Sequence, residues 1–246
     1  MNWFLIFLVS HLSAPPDKSL FVSNLTAEPT VDYVLANFVE TNKRNQVRGA
    51  EMSVNFAANL PKLDRNATLD ARRFVSPNGE VRYEVTHSDG DSAIKKEVIA
   101  RYMSAEMEPP AQMPTDIAIT PENYKFKSKG VRDFQERKIY VFEVVPRKKR
   151  LGLFKGEIWV DSETGLTLRE AGRLSKSPSV FLKDVDFIRE FRLQDGFSVP
   201  QRIETNMQTR FWGRAQLIVY YSDFNWQGGL SAQATDATQT PQLVAH

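Results

Sequence analysis

The sequence contains no cysteine among its 246 residues. This absence excludes disulfides, cysteine nucleophiles, thiolate metal sites and a lipid-modified cysteine at a signal-peptide cleavage site. Histidine is scarce too, with only His11, His87 and His246. His11 lies in the N-terminal apolar run and His246 is the last residue, so a Ser-His-Asp site would depend on His87, and a multi-histidine metal site lacks ligands. We therefore expect no catalytic residues, no metal and no cofactor.

A long hydrophobic run is also missing. Residues 3–9 are all apolar, but a membrane-spanning helix needs roughly 20 apolar residues. The run fits the apolar region of a secretory signal, with the small residues Ser13 and Ala14 before Pro15. We predict a signal peptide over residues 1–14 and export to the periplasm. A buried N-terminal strand and a wrongly assigned start codon are the alternatives.

The charge is nearly balanced, with 32 basic and 30 acidic residues. Nucleic-acid binding usually needs a strongly basic face, so we expect no nucleic-acid partner. With 41% hydrophobic and 25% charged residues, the composition is that of a globular protein. We predict a linker over residues 15–29, a single domain over residues 30–226 and a disordered tail over residues 227–246, which is small, polar and without aromatics.

The hydrophobic pattern predicts two amphipathic helices. Val31, Val34 and Phe38 recur at helical spacing after Thr30, a suitable N-cap. A second helix begins at Asp91 or Ser92 and ends before the prolines at 109 and 110.

The rest of the domain alternates apolar and polar residues in about ten runs with short links, which is typical of an antiparallel meander. The sequence thus predicts an α+β fold, mainly antiparallel β. Two helices cannot fully cover so wide a sheet. We therefore expect the sheet to close into a barrel or to curl as an open half-barrel around the helices, and in both cases we expect an apolar cavity.

Five successive strands share one apolar parity, which predicts the inner face of the sheet. The same pattern is found in an ordinary hydrophobic core. It indicates a ligand site here only because the sheet is too wide for two helices to cover. The candidate ligand-binding residues on this face are Tyr140, Phe142, Phe154, Ile158, Val160, Phe181, Phe187, Phe191, Ile203 and Met207.

The stretch KGEIWVDSETGLTLREAG, residues 155–172, groups carboxylates around a short corner. By parity, Glu157 and Asp161 lie on the polar face, while Glu163 is in the turn. Glu170 has the apolar parity but lies near the end of its strand. Catalytic carboxylates need close mutual placement in a cleft that shifts their pKa, and nothing in this pattern requires that. We interpret the group as part of a hairpin.

Residues 119–224 resemble bacterial outer-membrane lipoprotein-sorting proteins, relatives of the periplasmic lipoprotein carrier LolA. The matching pieces are ITPENYKF, YVFEVVPRKK, LFKGEIWVDSETG, KSPSVF, GFSVP and FWGRAQLIVYYSDF. The resemblance implies a curved half-barrel of about ten strands with the two helices on its concave side. It also implies an apolar cavity that shelters acyl chains in transit, and it brings no catalytic residue.

Three functions are compatible with these observations. The first is an exported carrier, a monomer that binds lipid or lipoprotein acyl chains. The second is an envelope sensor or scaffold of the same fold that binds a partner protein and holds no lipid, marked by a cavity filled by its own helices. The third is a small enzyme, which the scarcity of histidine and the lack of a nucleophile motif disfavour.

Overall fold

The computed structural model describes residues 29–44, 48–107, 114–178, 182–210 and 213–226. The predicted signal peptide, the predicted tail and all of the predicted linker except Pro29 lie outside the described residues, as does Phe181. Among the described helices, none is both long and apolar enough to cross a membrane.

Helix α1 spans Val31–Arg44, as the periodicity predicts. Thr30 begins it, since the Thr30 hydroxyl oxygen accepts a hydrogen bond from the Tyr33 backbone N–H at 3.3 Å. A second helical segment, here called the composite helix, joins α-helical Ser92–Ile94, π-helical Lys95–Ala100 and α-helical Arg101–Met107. Asp91 caps it, because its carboxylate accepts from the backbone N–H groups of Ala93 and Ile94 at 2.8 and 3.0 Å.

Ten antiparallel strands form one open sheet in the order β3-β2-β1-β10-β9-β8-β7-β6-β5-β4. Their bounds are β1 Ala50–Leu60, β2 Arg65–Val75, β3 Val81–Gly90, β4 Tyr124–Phe134, β5 Arg137–Pro146, β6 Phe154–Asp161, β7 Thr167–Leu174, β8 Leu182–Gln194, β9 Phe197–Thr209 and β10 Arg214–Trp226. The predicted α+β, mainly antiparallel fold is confirmed, and of its two forms the sheet takes the open half-barrel. Short 3-10 and α-helical turns lie at Pro61–Leu63 and Pro114–Ile117.

The meander places successive hairpins at opposite ends of the sheet. The connections β1–β2, β5–β6, β7–β8 and β9–β10 lie at one end, which we call the basic end for reasons given below. The connections β2–β3, β4–β5, β6–β7 and β8–β9 lie at the opposite end. The link from β3 to β4 contains the composite helix and joins the two edges of the sheet.

Two separate hydrophobic clusters form the core on the inner face. One packs the composite helix, through Ile94, Ile99 and Met103, against β1, β2 and β10. The other packs α1, through Val34 and Phe38, against β5, β6 and their neighbours. Each helix therefore covers its own part of the sheet, and the two clusters meet near β8 and β9.

The alternation of β9 is interrupted by a bulge that the sequence pattern does not reveal. Glu190 pairs with Arg202 but Phe191 pairs with Pro200, so Gln201 has no opposite residue. The part of β9 before the bulge, residues 197–200, is therefore out of step with the alternation of Ile203 and Met207.

Candidate functional site

Six of the predicted ligand-binding residues lie together beneath α1. They are all 5% exposed or less and belong to one cluster with the helix side chains Val34 and Phe38: Tyr140, Phe142, Phe154, Ile158, Val160 and Phe187. Aromatic contacts tie this cluster together, with Phe154 and Phe187 edge to face at 5.0 Å between ring centroids. In the structure, the helix itself occupies the space above these residues.

Three other predicted residues, Phe191, Ile203 and Met207, are only half-buried. They lie on β8 and β9, where the two helical segments leave the inner face partly open. With Arg189, which pairs directly with Ile203, and Thr205, they define what we call the central groove. The Arg189 side chain is 44% exposed although it points to the inner face, so solvent enters the groove.

Helix α1 is tied to the β6–β7 turn beside this groove. The Asn37 side-chain amide donates to the Glu163 carbonyl oxygen at 3.2 Å, and the Thr41 hydroxyl donates to the Thr164 carbonyl oxygen at 3.1 Å. Gly165 contributes by having no side chain, since a Cβ there would lie 2.9 Å from the Asn37 backbone. These contacts hold the C-terminal half of α1 over the edge of the groove.

A group of polar side chains, here called the polar belt, lies among the apolar residues of the inner face. Its centre is Glu106 of the composite helix, whose carboxylate accepts from Arg73 Nε at 3.0 Å and from the Tyr83 hydroxyl at 2.6 Å. The Tyr102 hydroxyl donates to the same carboxylate at 3.1 Å and lies 3.4 Å from the Tyr221 hydroxyl. The belt therefore fixes the composite helix to β2, β3 and β10.

A second ion pair continues the polar belt into the central groove. An Arg189 guanidinium nitrogen donates to a Glu170 carboxylate oxygen at 3.1 Å, across directly paired positions of β7 and β8. The guanidinium also lies 4.7 Å from the centroid of the Phe187 ring, within cation–π range. The groove thus has apolar walls and a charged, hydrogen-bonding floor.

Burial and the Glu106 charge together shift the pKa of two groups of the polar belt, Arg73 and Tyr83. Burial opposes the charge on Arg73, but the Glu106 carboxylate outweighs it and raises the Arg73 pKa. Burial, followed by the Glu106 charge, raises the pKa of Tyr83, and burial raises the pKa of Tyr221 to about 12. The hydroxyls therefore remain hydrogen-bond donors, and their raised pKa is the opposite of what an activated nucleophile needs.

Two cavities lie at different places in the fold. One of about 100 Å³ lies beside the groove and is lined by Thr41, Asn42, Gly165, Thr167, Glu170, Phe191 and Ser198. It is smaller than the roughly 300–1,000 Å³ of typical ligand pockets. The other, of about 600 Å³, lies away from the groove where β1 begins and β10 ends, and is lined by Arg48, Gly49, Ala50, Phe74, Val75, Ser76, Pro77, Glu80, Arg82 and Trp226. None of the nine predicted ligand-binding residues that the structure describes lines this larger cavity.

The carboxylates of the 155–172 hairpin do not converge on one another. Asp161 is 1% exposed rather than on the polar surface where parity placed it. Its carboxylate pairs with Arg137 at 3.2 Å and accepts from the Thr164 N–H at 2.9 Å, so it stabilises the turn. Glu170 lies in the polar belt. Among the described residues, no group of three or more His, Asp and Glu side chains is placed to hold a metal ion.

Most of the polar belt was not predicted from the sequence. A signal was present: Arg73 shares its parity with the buried Ala71 and Val75, and Arg189 shares its parity with Phe187 and Phe191. A charged residue at an apolar position of a strand needs a partner when it is buried. For Arg73 the partner is Glu106 on the composite helix, 33 residues away, which no strand pattern identifies.

No protein-family model and no curated protein matches the chain. Among solved structures, the chain is similar to a LolA superfamily protein from Nitrosomonas europaea, at 13% identity over 78% of this chain and 93% of that one, with a TM-score of 0.35. It is similar to a putative outer-membrane lipoprotein-sorting domain from Vibrio parahaemolyticus, at 13% identity over 79% of this chain and 92% of that domain, with a TM-score of 0.36. It is also similar to a chain of the Pseudomonas aeruginosa MucA/MucB complex, at 13% identity over 76% of this chain and 92% of that one, with a TM-score of 0.26. The first two belong to the group that the sequence motifs resemble.

Proposed function

We propose that this protein is an exported periplasmic carrier that binds lipid or lipoprotein acyl chains on the inner face of its half-barrel. The supporting observation is the central groove: a half-exposed apolar surface at Phe191, Ile203 and Met207, lying between two helices that each cover only part of the sheet. The proposed binding surface comprises the ten predicted residues, and the proposal includes no catalytic step.

Acyl-chain burial supplies the binding energy in this proposal. Each methylene removed from water contributes about 0.8 kcal/mol, so about ten methylenes give roughly the 8 kcal/mol of a micromolar complex. The groove and its cavity of about 100 Å³ are too small for a whole chain. Binding therefore requires α1 to move away and uncover Phe142, Ile158 and their neighbours. The polar belt would then face the ester or head-group end of the ligand.

Replacing Met207 by aspartate is expected to weaken lipid capture at least tenfold. The change puts a charge on the groove wall and removes apolar contact worth roughly 1.5–3 kcal/mol, where 1.4 kcal/mol is tenfold in affinity. The measurement is native mass spectrometry of the protein incubated with phospholipid or lipopeptide, with organic extraction of any bound cargo. Gln208→Asp is the matched control, because the next residue of β9 faces the other side of the sheet. Equal capture by both variants, or a lipid-free mass for the unaltered protein, would overturn the proposal.

A second candidate, a scaffold that binds a partner protein without lipid, has one observation in its favour. Val34 and Phe38 of α1 are both 0% exposed and pack on the residues that a carrier would offer to cargo. A cavity filled in this way by the protein's own helix is the feature expected of the scaffold.

A disulfide between α1 and the β6–β7 turn distinguishes the two candidates. The double variant Asn37→Cys and Glu163→Cys introduces the only two cysteines of the chain, at positions already in contact. A carrier is expected to lose lipid capture when oxidised and regain it when reduced, because α1 can no longer move. The reduced form of the same variant is the control, and the mass difference between the forms verifies the bond. Lipid capture that persists in the oxidised form would contradict the movement of α1.

A further inference from the structure

The basic end of the half-barrel concentrates positive charge on several separate loops. The β5–β6 connection contains Arg147, Lys148, Lys149 and Arg150, of which the first three are exposed. The β7–β8 connection packs against it, since the Ser175 hydroxyl donates to the Arg150 carbonyl oxygen at 2.9 Å. That contact brings the exposed Lys176 beside the β5–β6 corner. Two loops distant in sequence thus form one basic surface.

Neighbouring strand ends extend this surface. Lys125 is exposed near the start of the edge strand β4 and pairs with Val145, just before the β5–β6 corner. Lys155 is exposed near the start of β6. Farther along the same end, Lys62 of the β1–β2 connection and Arg65 at the start of β2 are exposed. Alternate hairpins of a meander lie at the same end of the sheet, so the topology brings these basic residues together. The near-neutral total charge does not reveal this concentration.

Acidic groups at this end neutralise only part of the charge. Asp116 pairs with Arg150 at 3.2 Å, and Asp91 pairs with Arg65 at 3.5 Å. Arg173 pairs with Asp184 and Asp186 at 3.5 and 2.7 Å, and Asp64 and Glu122 are exposed. Within the described part of the chain, no ion pair involves the following exposed lysines: Lys125, Lys148, Lys149, Lys155 and Lys176.

The opposite end is mixed in charge, with Arg82 and Arg132 exposed near its turns. Its turns expose Asp133, Glu136, Glu163 and Asp195. The basic residues of the β4–β5 turn are engaged, since Arg137 pairs with Asp161 at 3.2 Å and Lys138 with Asp133 at 3.1 Å. Among the described residues, the exposed lysines that no ion pair engages therefore lie mainly at the basic end, and that end is suited to an anionic partner.

We propose that the basic end docks on the surface of an anionic lipid bilayer. The lysines are spread over two connections and two strands, and neither of the two cavities described above lies at this end. Such an arrangement suits a broad layer of negative head groups better than one small anion. Leu63 of the β1–β2 connection is 43% exposed at the same end, which suits contact with a membrane interface. Each lysine or arginine near such a surface contributes about 1 kcal/mol, within a Debye length of about 10 Å. This proposal does not depend on the carrier function, because it involves neither the groove nor its cargo.

Vesicle flotation tests the proposal. The purified protein is expected to float with phosphatidylglycerol-containing vesicles at low salt, to be released at high salt, and not to float with pure phosphatidylcholine vesicles. Lys148→Gln combined with Lys149→Gln is expected to weaken partitioning about 30-fold, which corresponds to about 2 kcal/mol. The matched control, Lys129→Gln with Lys138→Gln, removes the same charge away from the basic end and is expected to leave partitioning within about threefold.

Three results would overturn the proposal. Equal flotation with both kinds of vesicle would mean that the negative head groups are not recognised. Equal losses in the two double variants would mean that only net charge matters. Displacement by polyglutamate at an equal concentration of negative charge would indicate an acidic protein partner. Loss of flotation in Lys148→Gln/Lys149→Gln with unchanged lipid capture would separate this surface from the carrier function.

Discussion

Replacing Glu106 by alanine is expected to lower the free energy of unfolding by about 3 kcal/mol. The change leaves the Arg73 guanidinium on the inner face without its counter-charge, and it removes the acceptor of the Tyr83 and Tyr102 hydroxyls. The Arg73 and Glu106 side chains are 15% and 25% exposed, so some water reaches the pair. The expected loss is therefore at the lower end of the roughly 3–5 kcal/mol typical of a broken buried pair. Urea unfolding followed by circular dichroism measures this loss. We expect a lower urea concentration at the midpoint, with an unchanged dependence of the unfolding free energy on urea concentration.

The surface pair Arg82–Glu84 provides the control for this experiment. Its side chains are 61% and 48% exposed, so Glu84→Ala is expected to cost less than about 1 kcal/mol. Glu106→Gln is expected to fall between the two, because an amide oxygen still accepts hydrogen bonds but does not neutralise Arg73. If Glu106→Ala cost no more than Glu84→Ala, the polar belt would contribute nothing to holding the composite helix on the sheet.

The sequence was sufficient to predict the fold because each element follows from a local pattern. The apolar spacing of α1 and its Thr30 cap are local, and the helix forms at Val31–Arg44 as expected. Strand alternation is local as well, and it determines which side chains share a face. That is why Tyr140, Phe142 and Ile158, on two neighbouring strands, lie in one cluster. The number of strands and their antiparallel order then follow from the short connections.

The features that the sequence did not reveal depend on how one segment fits another, which the pattern within a single segment does not show. The bulge at Gln201 results from the fit of β9 to β8, because either strand alone reads as regular alternation. The polar belt requires the end of the composite helix to lie over β2, β3 and β10, which no single segment encodes. Periodicity also could not show that α1 packs so closely that the predicted binding residues become core. Whether α1 stays packed on these residues or moves away from them is what distinguishes the carrier from the scaffold.

Replacing Phe38 by alanine is expected to weaken the docking of α1 by about 3–5 kcal/mol, the range for truncating a buried phenylalanine. Phe38 is 0% exposed and lies in the cluster beneath the helix, with its ring 6.4 Å from that of Phe126. The sheet retains its own hydrogen bonds, so the loss should appear as local opening. Amide hydrogen exchange is expected to accelerate in α1 and to remain slow in β5 and β6. Tyr33→Ala on the exposed side of the same helix, where the side chain is 59% exposed, is expected to leave exchange unchanged.

The same variant also determines whether α1 covers a binding surface. If ligand binds only when α1 is displaced, the apparent affinity is reduced by the small fraction of molecules in that open state. Weakening the docking by about 3 kcal/mol raises this fraction up to about 100-fold, at 1.4 kcal/mol per tenfold. Lipid capture by Phe38→Ala is therefore expected to exceed that of both the unaltered protein and Tyr33→Ala. Accelerated exchange in α1 without any gain in capture would mean that the uncovered face has no affinity for acyl chains. In that case the apolar face binds no lipid even when α1 has moved away from it. We would then conclude that α1 is a permanent part of the core, as expected of the scaffold.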